Sequence, residues 1–112
     1  MSDYTGCTRI VATSAVNTLN TVTTTVGKAY RLRMVTVTYS GTSTATPTVT
    51  LVSGAGAGYN VILNSITLAA NQGVYIPTTP VPVNADDQIS VAAPGVASVT
   101  SSVTIYVDRL AG

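Results

Sequence analysis

The longest run of strand-forming residues is 30–39, Tyr-Arg-Leu-Arg-Met-Val-Thr-Val-Thr-Tyr. Tyr, Val, Thr and Leu at this density fit a pleated, half-buried strand better than a helix. Apolar and polar residues alternate along the run, but the alternation changes phase partway. Tyr30 and Leu32 are apolar at even positions, and the apolar residues that follow stand at odd positions, namely Val35, Val37 and Tyr39.

Two structures would accommodate this change of phase. One extra residue near Met34 and Val35, a β-bulge, would turn both apolar sets toward one core. The face left over would then carry Arg31, Arg33, Thr36 and Thr38. Alternatively, a regular strand would be covered on both sides, with the arginine face packed against a partner. In both cases this strand organises the fold.

Shorter β-like runs fill the rest of the chain. Residues 48–52 and 88–91 alternate strictly, with inward positions predicted at Val49, Leu51, Ile89 and Val91. The glycine loop 54–58 joins 48–52 to a run at 59–64, which predicts an antiparallel hairpin. The remaining runs are 66–68, 74–76 and 99–109, the last with Val103, Ile105 and Val107 on one face and Tyr106 and Asp108 on the other.

This pattern gives seven to nine strands, turns every 8–12 residues and no convincing helix. It predicts an all-β fold, a single antiparallel β-sandwich or jelly-roll-like domain. Residues 28–112 are predicted to form that domain and residues 1–27 an extended N-terminal arm. Apolar residues recur in the arm at helix-like intervals, but the β-branched threonines and asparagines between them disfavour a helix. We expect one or two short strands there, one of them at 9–12.

The composition is poor in charge. Nine of the 112 residues are charged, the formal net charge is +1, and residues 34–85 contain no charged side chain. A free monomer normally stays soluble through mixed surface charge and a net charge away from zero. The sequence therefore favours a surface that is largely buried against other subunits. The alternative is an exposed surface that is polar but uncharged and rich in threonine. No run of about 20 apolar residues exists, and the start of the chain does not resemble a signal peptide.

The residue types argue against an enzyme. The chain has no His and only one cysteine, Cys7, so the usual general base and the usual zinc ligands are absent and no intramolecular disulfide can form. The glycine loop 54–58 lacks the Lys-Ser/Thr of a phosphate-binding loop. We expect no catalytic residue, no cofactor, no metal and no small-molecule substrate.

Asp86 and Asp87, beside Asn84, form the one acidic cluster of the sequence. Asp and Asn are frequent in β-turns because their side chains bond the neighbouring backbone, which favours a turn over a Ca²⁺ site. Five cations are also too few and too scattered for a nucleic-acid interface. The candidate contacts with a protein partner are the basic residues in or near the first strands, Arg9, Lys28, Arg31 and Arg33.

A family resemblance rests on several of these features. A basic, aromatic first strand, Thr-rich hairpins, a proline-interrupted connection at 78–82, the turn "ADDQISV" and the closing strand "VTIYVDRL" resemble small virion proteins of tailed bacteriophages. Among these the chain is most similar to capsid decoration (cement) proteins. Many such chains have Gly-Asp before the penultimate strand, whereas this one has Ala85-Asp86-Asp87, so that only Asp86 and Ile89 match.

The resemblance implies a structural protein without an active site, made in the host cytoplasm and located on the capsid exterior. Its partners would be the major capsid protein and copies of itself, often in a homotrimer, without nucleic acid or membrane. Alternatives are another phage component (tail, neck or minor coat protein), a receptor- or glycan-binding module, or a β-sandwich from an unrelated surface assembly. Glycan-binding modules use aromatic residues in exposed loops, and the predicted loops 40–47, 54–58 and 92–98 contain none.

Overall fold

Nine antiparallel strands form two sheets in the computed structural model, which describes residues 4–13, 19–24 and 29–110. The strands are β1 (Tyr4–Thr13), β2 (Asn20–Thr23), β3 (Tyr30–Tyr39), β4 (Thr48–Val52), β5 (Val61–Ser65), β6 (Gln72–Tyr75), β7 (Val81–Val83), β8 (Gln88–Ala93) and β9 (Ser101–Leu110). A single 3₁₀ turn, Ala57–Tyr59, is the one helical element of the described residues. The predicted all-β fold is confirmed.

The five-stranded sheet has the order β1-β9-β3, and β6 and β7 both pair with the far side of β3. The four-stranded sheet has the order β2-β8-β4-β5. The two sheets pack together around one hydrophobic core, so the predicted β-sandwich is confirmed. Its description as a jelly roll stays a prediction.

The N-terminal segment was predicted as an extended arm with one or two short strands. Its two strands are present, but β1 is ten residues long and runs antiparallel along β9, while β2 pairs with β8. The described part of the segment thus supplies an edge strand to each sheet, and the domain boundary at residue 27 stays a prediction. Its length was missed because a strand containing Gly6 and several threonines is ordered by distant backbone partners rather than by an apolar pattern of its own.

The predicted bulge in β3 is confirmed and lies one or two residues earlier than expected. The pairing of β3 with β9 passes from Leu32 opposite Val107 to Met34 opposite Tyr106, which leaves Arg33 as the extra residue. Tyr30 and Leu32 before it and Val35, Val37 and Tyr39 after it are all buried. The bulge therefore brings both phases of the apolar pattern to the same core.

The core itself follows the predicted inward positions. Fully buried residues of β3, β4, β8 and β9 meet between the sheets, among them Leu32, Val35, Val37, Val49, Ile89, Val91, Val103 and Ile105. Each such side chain stabilises the fold by about 1.5–3 kcal/mol relative to its exposed state. The alternation along the strands is thus the main determinant of the sandwich.

Two buried tyrosines anchor the ends of β3. The Tyr30 hydroxyl shares a hydrogen bond with the Thr24 hydroxyl, which also accepts one from the Ile89 amide at 2.9 Å. The Tyr39 hydroxyl donates to the Pro94 carbonyl at 2.8 Å. Burial raises the pKa of both tyrosines above 10, and the hydrogen bond from Thr24 offsets only part of this effect for Tyr30.

We expect the protein to lose stability in alkali. A raised pKa means that the folded state favours the neutral phenol, so this contribution is complete below the unfolded pKa of about 10 and is lost as pH rises above that value. Urea unfolding at about pH 8 and about pH 11 measures the loss. It should be smaller in Tyr30→Phe and in Tyr39→Phe than in the wild-type protein, because each substitution removes one buried phenol whose pKa is raised. An equal loss in the wild-type protein and in both variants would contradict the assignment.

Candidate functional site

A cluster of three charged side chains lies on the outer face of the five-stranded sheet. Antiparallel pairing places Arg31 of β3 directly opposite Asp108 of β9. The Asp108 Oδ2 atom accepts a hydrogen bond from Arg33 Nη1 at 2.8 Å, and Arg31 Nη2 lies 3.9 Å from the same oxygen. Both guanidinium groups therefore converge on one carboxylate oxygen.

The three groups differ in their access to solvent. The side chain of Asp108 is 10% exposed, whereas those of Arg31 and Arg33 are 38% and 53% exposed. A carboxylate is rarely so covered unless it is paired. Two positive charges and one negative charge leave the cluster with a charge of +1 at neutral pH, and the positive groups form its accessible part. An incoming ligand would therefore meet guanidinium groups before the carboxylate.

Hydroxyl-bearing residues continue this outer face away from the charges. Thr36 lies opposite Thr104, and Thr38 lies opposite Ser102, in rows that cross β3 and β9. Their side chains point away from the core because the residues between them, such as Val37, are buried. We call this surface the arginine face, consisting of Arg31, Arg33, Asp108, Thr36, Thr38, Ser102 and Thr104.

An open groove of about 380 Å³ adjoins the arginine face next to β6. Its lining residues are Thr36, Thr38, Thr67, Ala69, Gln72, Gly73 and Val74. Hydroxyl, amide and methyl groups can contact a ligand, but they offer no group that titrates near neutral pH. Elsewhere in the described chain, no three residues among His, Cys, Asp and Glu lie close enough together to hold a metal ion.

The predicted contact residues have different outcomes. Arg31 and Arg33 are brought together on one outer face, in the position that the bulge interpretation gave them. Arg9 lies in β1 at the register position opposite Tyr106. Lys28 lies outside the described residues.

The partner of the arginines, Asp108, was not predicted from the sequence. The alternation in the last strand correctly placed it on the outer face, but its neighbour depends on the pairing of strands 75 residues apart. One signal could have found it: β3 and β9 both combine inward apolar residues with charged residues near one end. Antiparallel pairing of the two runs would have matched those charges.

The acidic turn has a structural role, as the sequence favoured. The Asp87 amide donates to the Asn84 carbonyl at 3.0 Å, which closes the turn, and the Asp87 carboxylate accepts a hydrogen bond from the Gly54 amide at 2.9 Å. The glycine loop thus rests on this turn. A Cβ atom at Gly54 would lie 2.4 Å from the Asp86 carbonyl oxygen, so the close approach requires glycine.

We expect Gly54→Ala to separate the glycine loop from the acidic turn. The clash is with backbone, which cannot rotate away as a side chain can, so the loss in stability should be about 1–3 kcal/mol. Gly58→Ala is the matched control, because a Cβ atom at Gly58 meets nothing within 4 Å. Urea unfolding of both variants measures the difference, and equal midpoints would show that the loop does not depend on this contact.

Tyr59 differs from its predicted place in a strand. It ends the 3₁₀ turn between β4 and β5, and 70% of it is exposed. The hairpin loop is therefore longer than residues 54–58 and includes an aromatic residue. A hydrogen bond of 2.8 Å from the Ser53 amide to the Asn60 side-chain carbonyl joins the two ends of this loop.

Comparison with known proteins finds no family model and no curated protein that matches this chain. Among the described residues, no helix has the length and hydrophobicity that a membrane span requires.

Proposed function

We propose that the protein is a structural virion protein that binds and stabilises the capsid lattice of a tailed bacteriophage, as a decoration protein and as a homo-oligomer. The observation that carries the proposal is the arginine face. It offers two accessible guanidinium groups around one covered carboxylate, beside rows of uncharged hydroxyls. Such a face suits a broad contact with another protein.

The energetics of this face favour protein–protein contact. A decoration protein has to be soluble before it docks and then lose solvent over much of its surface. Hydroxyl groups cost less to desolvate than ammonium or carboxylate groups, and arginine is better suited to interfaces than lysine. An acidic loop of the major capsid protein would complement the residual positive charge of Arg31 and Arg33.

Co-sedimentation tests the proposal. The purified protein is mixed with preformed capsids that lack it, and its amount in the capsid pellet is measured against a saturating concentration series. Saturable binding in a fixed ratio to the major capsid protein is expected, together with capsids that withstand heating better than undecorated ones. Absence of binding to the capsids would contradict the proposal.

A glycan-binding function is the second candidate, because Tyr59 is 70% exposed at the tip of a hairpin loop. Aromatic rings in such positions can stack on sugar rings, and a Tyr side chain adds a polar tip. A glycan array with the wild-type protein and Tyr59→Ala separates the candidates. Binding to sugars that is lost in Tyr59→Ala, without binding to capsids, would favour this function over decoration.

A further inference from the structure

The outer edge of the four-stranded sheet is β5. It pairs with β4 on one side, and no strand among the described residues pairs with its other side. The backbone N–H and C=O groups on that side can accept a further strand. This edge is therefore able to extend the sheet.

Apolar side chains surround the open edge. Val61 is 51% exposed and Ile62 is 67% exposed. Ile62 lies opposite Thr50 on the outer surface, whereas Val61 lies opposite Leu51, which packs on the core. The strand thus carries exposed apolar groups toward both faces of the sheet. Val61 and Ile62 are neighbours, so together with the open backbone groups they form an apolar edge rather than a single exposed side chain.

Two other sheet edges carry features that discourage strand pairing. Pro82 in the middle of β7 lacks a backbone donor. The β1 strand contains Arg9 and an irregular register between Tyr4 and Cys7. The β5 strand has an irregularity of its own, because Leu63 is an extra residue in its pairing with β4. Leu63 packs on the core, and Val61 and Ile62 remain paired with β4.

A second copy of the same strand fits this edge. Residues 34–85 contain no charge, so two β5 strands meet without the repulsion that a charged strand would cause. Antiparallel pairing of a strand with itself has two-fold symmetry, which closes the contact at a dimer. A charged partner strand would instead lose solvent without gaining an ion pair.

We propose that β5 is a self-association edge at which two copies pair antiparallel about a two-fold axis. The two four-stranded sheets then form one sheet of eight strands (4 + 4), and each Ile62 is covered by the other copy. The arginine face lies on the five-stranded sheet and stays free in this dimer. This dimer would supply the self-association that the proposed function includes, and the inference rests on the proposed function only in that respect.

Sedimentation velocity of the full chain, without capsids and with a reductant that keeps Cys7 from cross-linking, tests the proposal. At about 100 µM, a concentration at which even a micromolar dimer is nearly complete, the wild-type protein should sediment as a species of 22.8 kDa (2 × 11.4 kDa). Ile62→Lys places two like charges at the shared edge and should raise the dimer dissociation constant by more than about 100-fold. Val74→Lys is the control, because Val74 is an exposed apolar residue on β6 and its variant should remain a dimer.

A second measurement does not depend on the variant folding. Hydrogen exchange of the wild-type protein between about 1 and about 100 µM should show protection of the β5 amides that increases with concentration. A monomeric wild-type protein, a dimer unaffected by Ile62→Lys, or protection confined to another edge would each overturn the proposal. A dimer that ignores capsids would support it and count against the decoration function, so the two failures are distinguishable.

Discussion

Deletion of Arg33 is expected to unfold the protein or to reduce its stability drastically. Arg33 is the extra residue that changes the phase of β3, and without it Tyr30 and Leu32 would exchange their inward positions with neighbouring residues. Two side chains that are 6% and 0% exposed would leave the core. At about 1.5–3 kcal/mol each, the loss is about 3–6 kcal/mol, against a typical total stability of about 5–15 kcal/mol.

Arg33→Ala is the matched control for this deletion. It removes the same guanidinium and its 2.8 Å contact with Asp108 but keeps the residue count of the strand. Because the Arg33 side chain is about half exposed, the ion pair should contribute no more than about 1 kcal/mol. Urea unfolding followed by circular dichroism measures both variants. If the deletion were as stable as Arg33→Ala, the bulge would not be what aligns the two halves of β3.

Replacement of Arg31 and Arg33 together by alanine is expected to abolish most of the binding to capsids. Arginine is among the residues that contribute most at interfaces, with individual losses of about 2 kcal/mol or more, so the double variant should bind at least about 100-fold more weakly. The variant also leaves the covered Asp108 carboxylate without these two arginines, so it should lose stability, and circular dichroism must show that it is folded before its binding is compared. Co-sedimentation over a concentration series measures the change.

Asp108→Asn is the control, because it is expected to change binding to capsids in the opposite direction. It removes the negative charge from the cluster, whose charge rises from +1 to +2, so binding to an acidic partner should strengthen even as the loss of the ion pairs with Asp108 lowers stability. Parallel weakening of binding in both variants would show that the face acts through its shape or its stability rather than through its charge.

The sequence was informative where a strand carries its own pattern. The inward residues of β4, β8 and β9 follow from alternation, because one buried face selects every second residue. In β3 the change of phase allowed either a bulge or a regular strand covered on both sides, and the pairing with β9 shows the bulge. The long β1 strand was missed because its order comes from backbone bonds to β9, almost a hundred residues away. Tyr59 was misplaced because the boundary between a strand and its hairpin loop depends on local hydrogen bonds, such as that between Ser53 and Asn60.

The candidate site could be predicted only in part for the same reason. Alternation placed Arg31 and Arg33 on one face and Asp108 on an outer face, but only strand pairing joins β3 to β9 and brings these charges together. The self-association edge could not be predicted either, because an apolar residue such as Ile62 in a strand is expected to lie in the core. Its exposure depends on β5 being the last strand of its sheet.

An image reconstruction of capsids decorated with the wild-type protein tests most directly the claim that the protein works by contact through its arginine face. We expect the outer face of the five-stranded sheet, with Arg31 and Arg33, to lie against acidic residues of the major capsid protein. The hairpin loop with Tyr59 should lie away from that contact. A capsid-bound protein that contacts the lattice through the hairpin loop and leaves the arginine face exposed to solvent would contradict this claim.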